Sequence, residues 1–175
     1  VVGIDIPTKK TDSGDDYHTR YDKFIVDNTL WNEVIHDLVL AGTDRGHATI
    51  VLVERVRHVR TLRRMFRAEG LRVRTAHGNV RTKSRQKAVS LLESGHVDVI
   101  IANKVFQKGI NIKRVSCIID AASGKSPNNA LQKFGRGVRT HDDKTGLLYF
   151  DLGLKGVKEK VKFEKAARVR RRAFR

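Results

Sequence analysis

A single cysteine, Cys117, rules out a disulfide within the chain and fits a reducing compartment, cytoplasmic or nuclear. No apolar run is long enough to cross a bilayer as a helix. The opening residues, Val1-Val2-Gly3-Ile4-Asp5-Ile6-Pro7, lack the pattern of a secretory signal and carry no initial Met, so the chain reads as a fragment or a processed piece of something longer. There is no Pro/Ser-rich linker and no internal repeat. The seven histidines show no metal-ligand spacing. Also missing is a Gly-x-x-x-x-Gly-Lys-Ser/Thr loop to cradle phosphates. Gly124-Lys125-Ser126 matches its end, but Ile119, inside an apolar strand pattern, stands where the first glycine should be. Nor is there an Asp-Glu-x-His/Asp string to hold a divalent cation and orient water. These absences argue against nucleotide hydrolysis by this chain alone.

What is present is a basic α/β pattern. The net charge is +17 over 175 residues and is unevenly placed. Residues 1–50 hold five Lys/Arg against nine Asp/Glu, and the remainder holds 31 against ten. Such a field concentrates polyanions and releases their counterions on binding, which points to DNA or RNA; a merely soluble basic protein is the plainer alternative. With 39% apolar residues the chain can bury one well-packed core.

Apolar runs at Ile50–Val53, Leu71–Ala76, Val97–Ala102, Val115–Asp120 and Leu147–Asp151 predict strands covered on both faces. Between them lie helical patterns. Thr29–Ala41 places Leu30, Val34, Ile35, Leu38 and Val39 on one face, with Gly42 as its stop. Val56–Glu69 carries Val59, Leu62 and Phe66 and stops at Gly70; Thr82–Ser94 carries Ala88, Leu91 and Leu92 and stops at Gly95. Ser126 is a suitable N-cap, and Pro127 suits the first turn, for a helix running to about Arg139. Strand–helix repeats of this length predict a mainly parallel sheet with helices on both faces. Thr8–Asp16 reads as a polar loop and Lys155–Arg175 as a basic terminal helix.

Three segments carry candidate chemistry. In Gln132-Lys133-Phe134-Gly135-Arg136-Gly137-Val138-Arg139, helical spacing aligns Gln132, Arg136 and Arg139 on one stripe, apart from the apolar arc of Leu131, Phe134 and Val138. Two guanidinium groups so placed suit the charge that spreads over a phosphoryl group during transfer; a solvated basic face is the alternative. Asn103-Lys104-Val105-Phe106-Gln107-Lys108-Gly109-Ile110-Asn111 follows a predicted strand, where ligands gather in parallel sheets, although a plain turn fits as well. His77-Gly78 follows another, with Arg85 in the next helix; His77 reads as a backbone-phosphate contact or a loop hydrogen bonder rather than a base.

In this order and spacing the segments resemble the C-terminal RecA-like domain of superfamily two helicases and translocases. That family's Gln-x-x-Gly-Arg-x-x-Arg pattern is met at Gln132, Gly135, Arg136 and Arg139, and the resemblance covers roughly residues 28–152. It implies a three-layer RecA-like α/β fold. It implies that Arg136 and Arg139 act as catalytic arginine fingers toward ATP and Mg²⁺ held mainly by an N-terminal RecA-like lobe, with Gln132, Gly109 and Asn111 contacting the nucleotide. It also implies that His77, Gly78, Asn103 and Lys104 track a nucleic-acid backbone with little sequence preference. Asn103, Asn111 and Lys133 stand where the family often has Thr, Asp and Arg; these departures lie nearer to the DNA helicases and translocases related to restriction and phage recombination enzymes than to the RNA DEAD-box group.

The layout expected is an N-terminal strand and loop segment (residues 1–27), the RecA-like domain (28–152) and a basic tail (153–175). In the tail Arg168, Arg170, Arg171, Arg172 and Arg175 form either a solvated end or a phosphate clamp. Cys117 and Trp31 read as packed residues, His58 and His141 as surface residues, and Asp142-Asp143 as a turn. A competing reading of the whole chain is a sequence-tolerant nucleic-acid-binding module with no motor role.

Overall fold

In the computed structural model, the residues described are 1–8, 16–78, 80–103, 112–123 and 146–155. They form a six-stranded sheet in which every pairing is parallel. In chain order the elements are β1 (Val2–Pro7), α1 (Tyr17–Tyr21), a π-helical turn (Asp22–Val26), α2 (Thr29–Asp44), β2 (Ala48–Leu52), α3 (Val56–Ala68), β3 (Val73–Ala76), α4 (Thr82–Glu93), β4 (Val99–Ala102), β5 (Val115–Asp120) and β6 (Leu148–Lys155). Across the sheet the strand order is β1-β6-β5-β2-β4-β3.

The layers follow from this order. From β1 to β2 and on to β3 the chain moves one way along the sheet; from β3 to β4 it moves back. Right-handed crossovers in opposite directions pass over opposite faces. Accordingly α2 and α3 cover one face, where Trp31, Ile35, Val39, Val59, Leu62 and Phe66 meet Val51, Val53, Ile101 and Ile119. On the other face Ala88 and Leu92 of α4 meet Ile50, Leu52, Ile100 and Ile118. Successive residues of β2 thus enter opposite cores, which is why the strands read as unbroken apolar runs.

Trp31 is fully buried, and burial raises the thiol pKa of Cys117 to about 11, so that thiol is a packing group and not a nucleophile.

Several expectations need correction. Helix α2 does not stop at Gly42 but runs to Asp44. Gly42 faces the sheet close to Thr49 and Cys117, and the turn is made by Gly46 at φ +75°, where His47 N–H donates to Gly42 O at 2.9 Å and Gly46 N–H to Thr43 O at 2.9 Å. Leu30, expected on the buried face, is exposed at the helix start. His58, expected at the surface, is fully buried because its place on α3 faces α2, where Asn32 supplies a polar partner. Strand β6 continues past Asp151 to Lys155, because the long-range pairing of Val2–Pro7 with Phe150–Lys155 extends it.

Part of the core comes from residues before position 28. Ile6, Tyr21, Phe24, Ile25 and Val26 enter the core shared with α2 and α3. Asp16 caps α1 by accepting from Thr19 N–H at 2.8 Å.

Candidate nucleic-acid interface at the carboxyl edge of the sheet

Parallel strands deliver all their exit loops to one edge, and here two of the sequence-predicted contacts meet. Strands β3 and β4 end in register, Ala76 opposite Ala102. Beyond them Asn103 N–H donates to Ala76 O at 3.2 Å, and Val80 N–H donates to His77 O at 2.9 Å, closing the turn that carries Gly78. His77-Gly78 and Asn103, far apart in sequence, are therefore neighbours. Gly78 is exposed, and the other two are half-buried.

Burial, and then the positive charge of Arg60 on α3, hold the His77 imidazole below its ordinary pKa of 6.5. At neutral pH the ring is uncharged. Its Nδ1 is buried and has no hydrogen-bond partner among the described residues. Arg85 instead turns toward its own helix, where its Nη2 donates to Thr82 Oγ1 at 3.0 Å.

The same edge has a rigid floor. Val53 N–H donates to Ala102 O and Ala121 N–H to Leu52 O, both at 2.9 Å, so the exit loops stay paired past the strand ends. Asp120 accepts from Tyr149 Oη at 2.8 Å through one oxygen and from Ala122 N–H at 3.1 Å through the other. Tyr21 Oη donates to Ala122 O at 2.7 Å. Burial pushes the Tyr21 phenol well above 10, so it stays a donor. Arg55 stacks on the Tyr21 ring, contacts His18 Nδ1 and lies 3.8 Å from Asp22. Sequence reasoning missed this cluster. Its one legible signal is a carboxylate, Asp120, directly after the apolar run Cys117-Ile118-Ile119.

The profile of the helicase conserved C-terminal domain family matches residues 31–141. The chain belongs to that family. Among similar proteins, this helicase C-terminal domain is 26% identical over 143 residues to "Probable ATP-dependent RNA helicase DDX17" of Mus musculus, covering 79% of this chain and 22% of that protein. It is 28% identical over 139 residues to "UvrABC system protein B" of Chlorobium chlorochromatii, covering 77% of this chain and 19% of that protein. The chain thus spans about a fifth of the length of these curated relatives. Among solved structures, T4 UvsW superposes with a TM-score of 0.71 at 22% identity, covering 99% of this chain and 39% of that one. The C-terminal domain of the DEAD-box protein Dbp5 gives 0.60 at 20% identity, covering 79% and 76%. Both likenesses support the RecA-like α/β fold.

Lys104, Gly109, Asn111, Gln132, Arg136, Arg139 and the tail arginines Arg168, Arg170, Arg171 and Arg172 lie outside the described residues, as do the expected Ser126–Arg139 helix, His141 and the Asp142-Asp143 turn. Ile119 lies within β5, as the apolar pattern required. Among the described residues no His/Cys/Asp/Glu cluster could hold a metal ion, and no helix is long and apolar enough to cross a membrane.

Proposed function

We propose that this helicase C-terminal domain is the second motor lobe of an ATP-driven translocase or helicase acting on nucleic acid, DNA first. The family match over residues 31–141 carries the reading. The adjacency of His77-Gly78 and Asn103 at the carboxyl edge supports a surface that follows a phosphate backbone. The chain leaves β5 at that edge, through Ala121–Ser123, on its way to Gln132-x-x-Gly135-Arg136-x-x-Arg139. In this reading Arg136 and Arg139 reach across a cleft to ATP and Mg²⁺ held mainly by a first lobe. Gln132, Gly109 and Asn111 touch the nucleotide; Lys104 and the tail arginines add phosphate contacts.

The test uses the intact protein. Arg136→Ala and Arg139→Ala should each lower nucleic-acid-stimulated ATPase by about 10³-fold or more while leaving affinity for DNA nearly intact. Lost affinity with unchanged ATPase would make the domain a binding module instead. DNA and RNA of one sequence, compared as ATPase activators, separate the two substrates: activation by RNA alone overturns the DNA assignment.

A further inference from the structure

Helix α3 reads Val-Arg-His-Val-Arg-Thr-Leu-Arg-Arg-Met-Phe-Arg-Ala, with five arginines and no acidic residue. Its buried side is His58, Val59, Leu62 and Phe66. Arg60, Arg63, Arg64 and Arg67 are all exposed and project within an arc of about 100° on the opposite side. Folding does not explain them. Like charges three and four residues apart destabilise a helix, and its first turn lacks the acid its dipole favours. Arg57 is neutralised by Asp27 at 2.5 Å and Arg72 by Asp98 at 2.5 Å; none of the four outward arginines has an ion-pair partner among the described residues.

Their position is equally specific. Helix α3 packs over β3 and β4, and β3 ends the strand order, so the arginines lie on the flank of the domain, with Arg60 close enough for its charge to act on the His77 ring. All four are arginines, whose planar forks match phosphate oxygens. No aromatic side chain is exposed on α3 to stack an unpaired base, as single-strand surfaces require.

We infer that the α3 flank, Arg60, Arg63, Arg64 and Arg67, binds the phosphate backbone of a double-stranded nucleic-acid arm continuing past the His77-Gly78 turn. From Arg60 to Arg67 the stripe runs about 10 Å, at 1.5 Å per residue, enough for several phosphates of a duplex that carries one charge per about 1.7 Å of axis. The flank thus gives the domain a second, sequence-independent hold outside the carboxyl edge. The inference rests on the nucleic-acid part of the proposed function but not on its motor part.

The test is the variant R60Q/R63Q/R64Q/R67Q in the intact protein, with R60K/R63K/R64K/R67K as a charge-preserving control and thermal melting to confirm the fold. Affinity is titrated against salt for a 20-base-pair DNA duplex and for oligo-dT of 20 nucleotides. The glutamine variant should lose about 10- to 100-fold in duplex affinity near 0.1 M salt, and its plot of log affinity against log salt should flatten by about 2 to 3. Oligo-dT affinity should change little, and lysines should restore most of the slope. Unchanged duplex affinity and slope in a folded variant overturn the inference, and equal losses on both ligands overturn the duplex assignment. Because ATPase at saturating DNA should persist in this variant, a failure here is separable from a failure of the Arg136 and Arg139 test.

Discussion

His58 and Asn32 form a buried pair bridging α3 and α2, with His58 Nε2 at 2.7 Å from Asn32 Oδ1. Asn32 Nδ2 in turn donates to Val26 O at 3.0 Å, so the pair also anchors the end of the π-helical turn. An amide oxygen only accepts, so Nε2 carries the proton and Nδ1 is the bare nitrogen. Burial lowers the ring's pKa from an ordinary 6.5 to about 4.

That depression has a direction. Between about pH 6.5 and pH 4 the unfolded chain binds a proton at His58 that the folded chain refuses. Stability from the neutral ring is therefore complete above pH 6.5 and declines as pH falls toward 4, by an amount on the order of 3 kcal/mol. His58→Gln keeps a donor for Asn32 but cannot titrate. Urea unfolding at pH 7 and pH 4.5 should show a smaller pH-dependent loss in H58Q than in the parent; identical losses would remove His58 as the source.

Asp120 holds the floor of the carboxyl edge through Tyr149 Oη and Ala122 N–H. Asp120→Ala removes the acceptor of the buried Tyr149 hydroxyl and the cap on Ala122 N–H, and should cost about 2–4 kcal/mol in chemical denaturation. Tyr149→Phe leaves one oxygen of the buried Asp120 without its donor but keeps the Ala122 N–H bond, and should cost less, about 1–2 kcal/mol. A D120A variant no less stable than Y149F would show that the carboxylate does not organise this exit loop.

Gly42 and Gly46 should answer the same substitution in opposite ways. Gly42 is helical, and an added Cβ would meet Thr49 Oγ1 at 3.4 Å, an ordinary contact. Gly42→Ala should be neutral or gain up to about 1 kcal/mol from helix propensity. Gly46 sits at φ +75°, so Gly46→Ala should cost about 1–2 kcal/mol although the space is open. Melting temperatures that shift the same way for both would contradict this division of roles.

The elements most legible in the sequence were those with unbroken apolar runs. Val115–Asp120 is a strand at the residues its composition suggested, and the glycine stops at Gly70 and Gly95 are real, both at φ +76°. Less legible was anything set by a distant partner. Two glycines near the end of α2 carry the same local signal; only the closeness of Thr49 and Cys117 tells the helical one from the turn. In the candidate site, His77-Gly78 and Asn103 could be named singly, but their adjacency needed the β3–β4 register. The α3 stripe was present in the spacing of its arginines, yet its meaning came from the edge position of β3.

The sequence by itself determined the α/β class, the parallel sheet and the strongly basic charge, because apolar periodicity and net charge are properties of local composition. Tertiary structure alone decided that residues 2–7 complete the sheet beside β6, that His58 is buried, and that the His77 turn and Asn103 are neighbours. Those are consequences of pairing and burial between segments far apart in the chain, and no local pattern carries them.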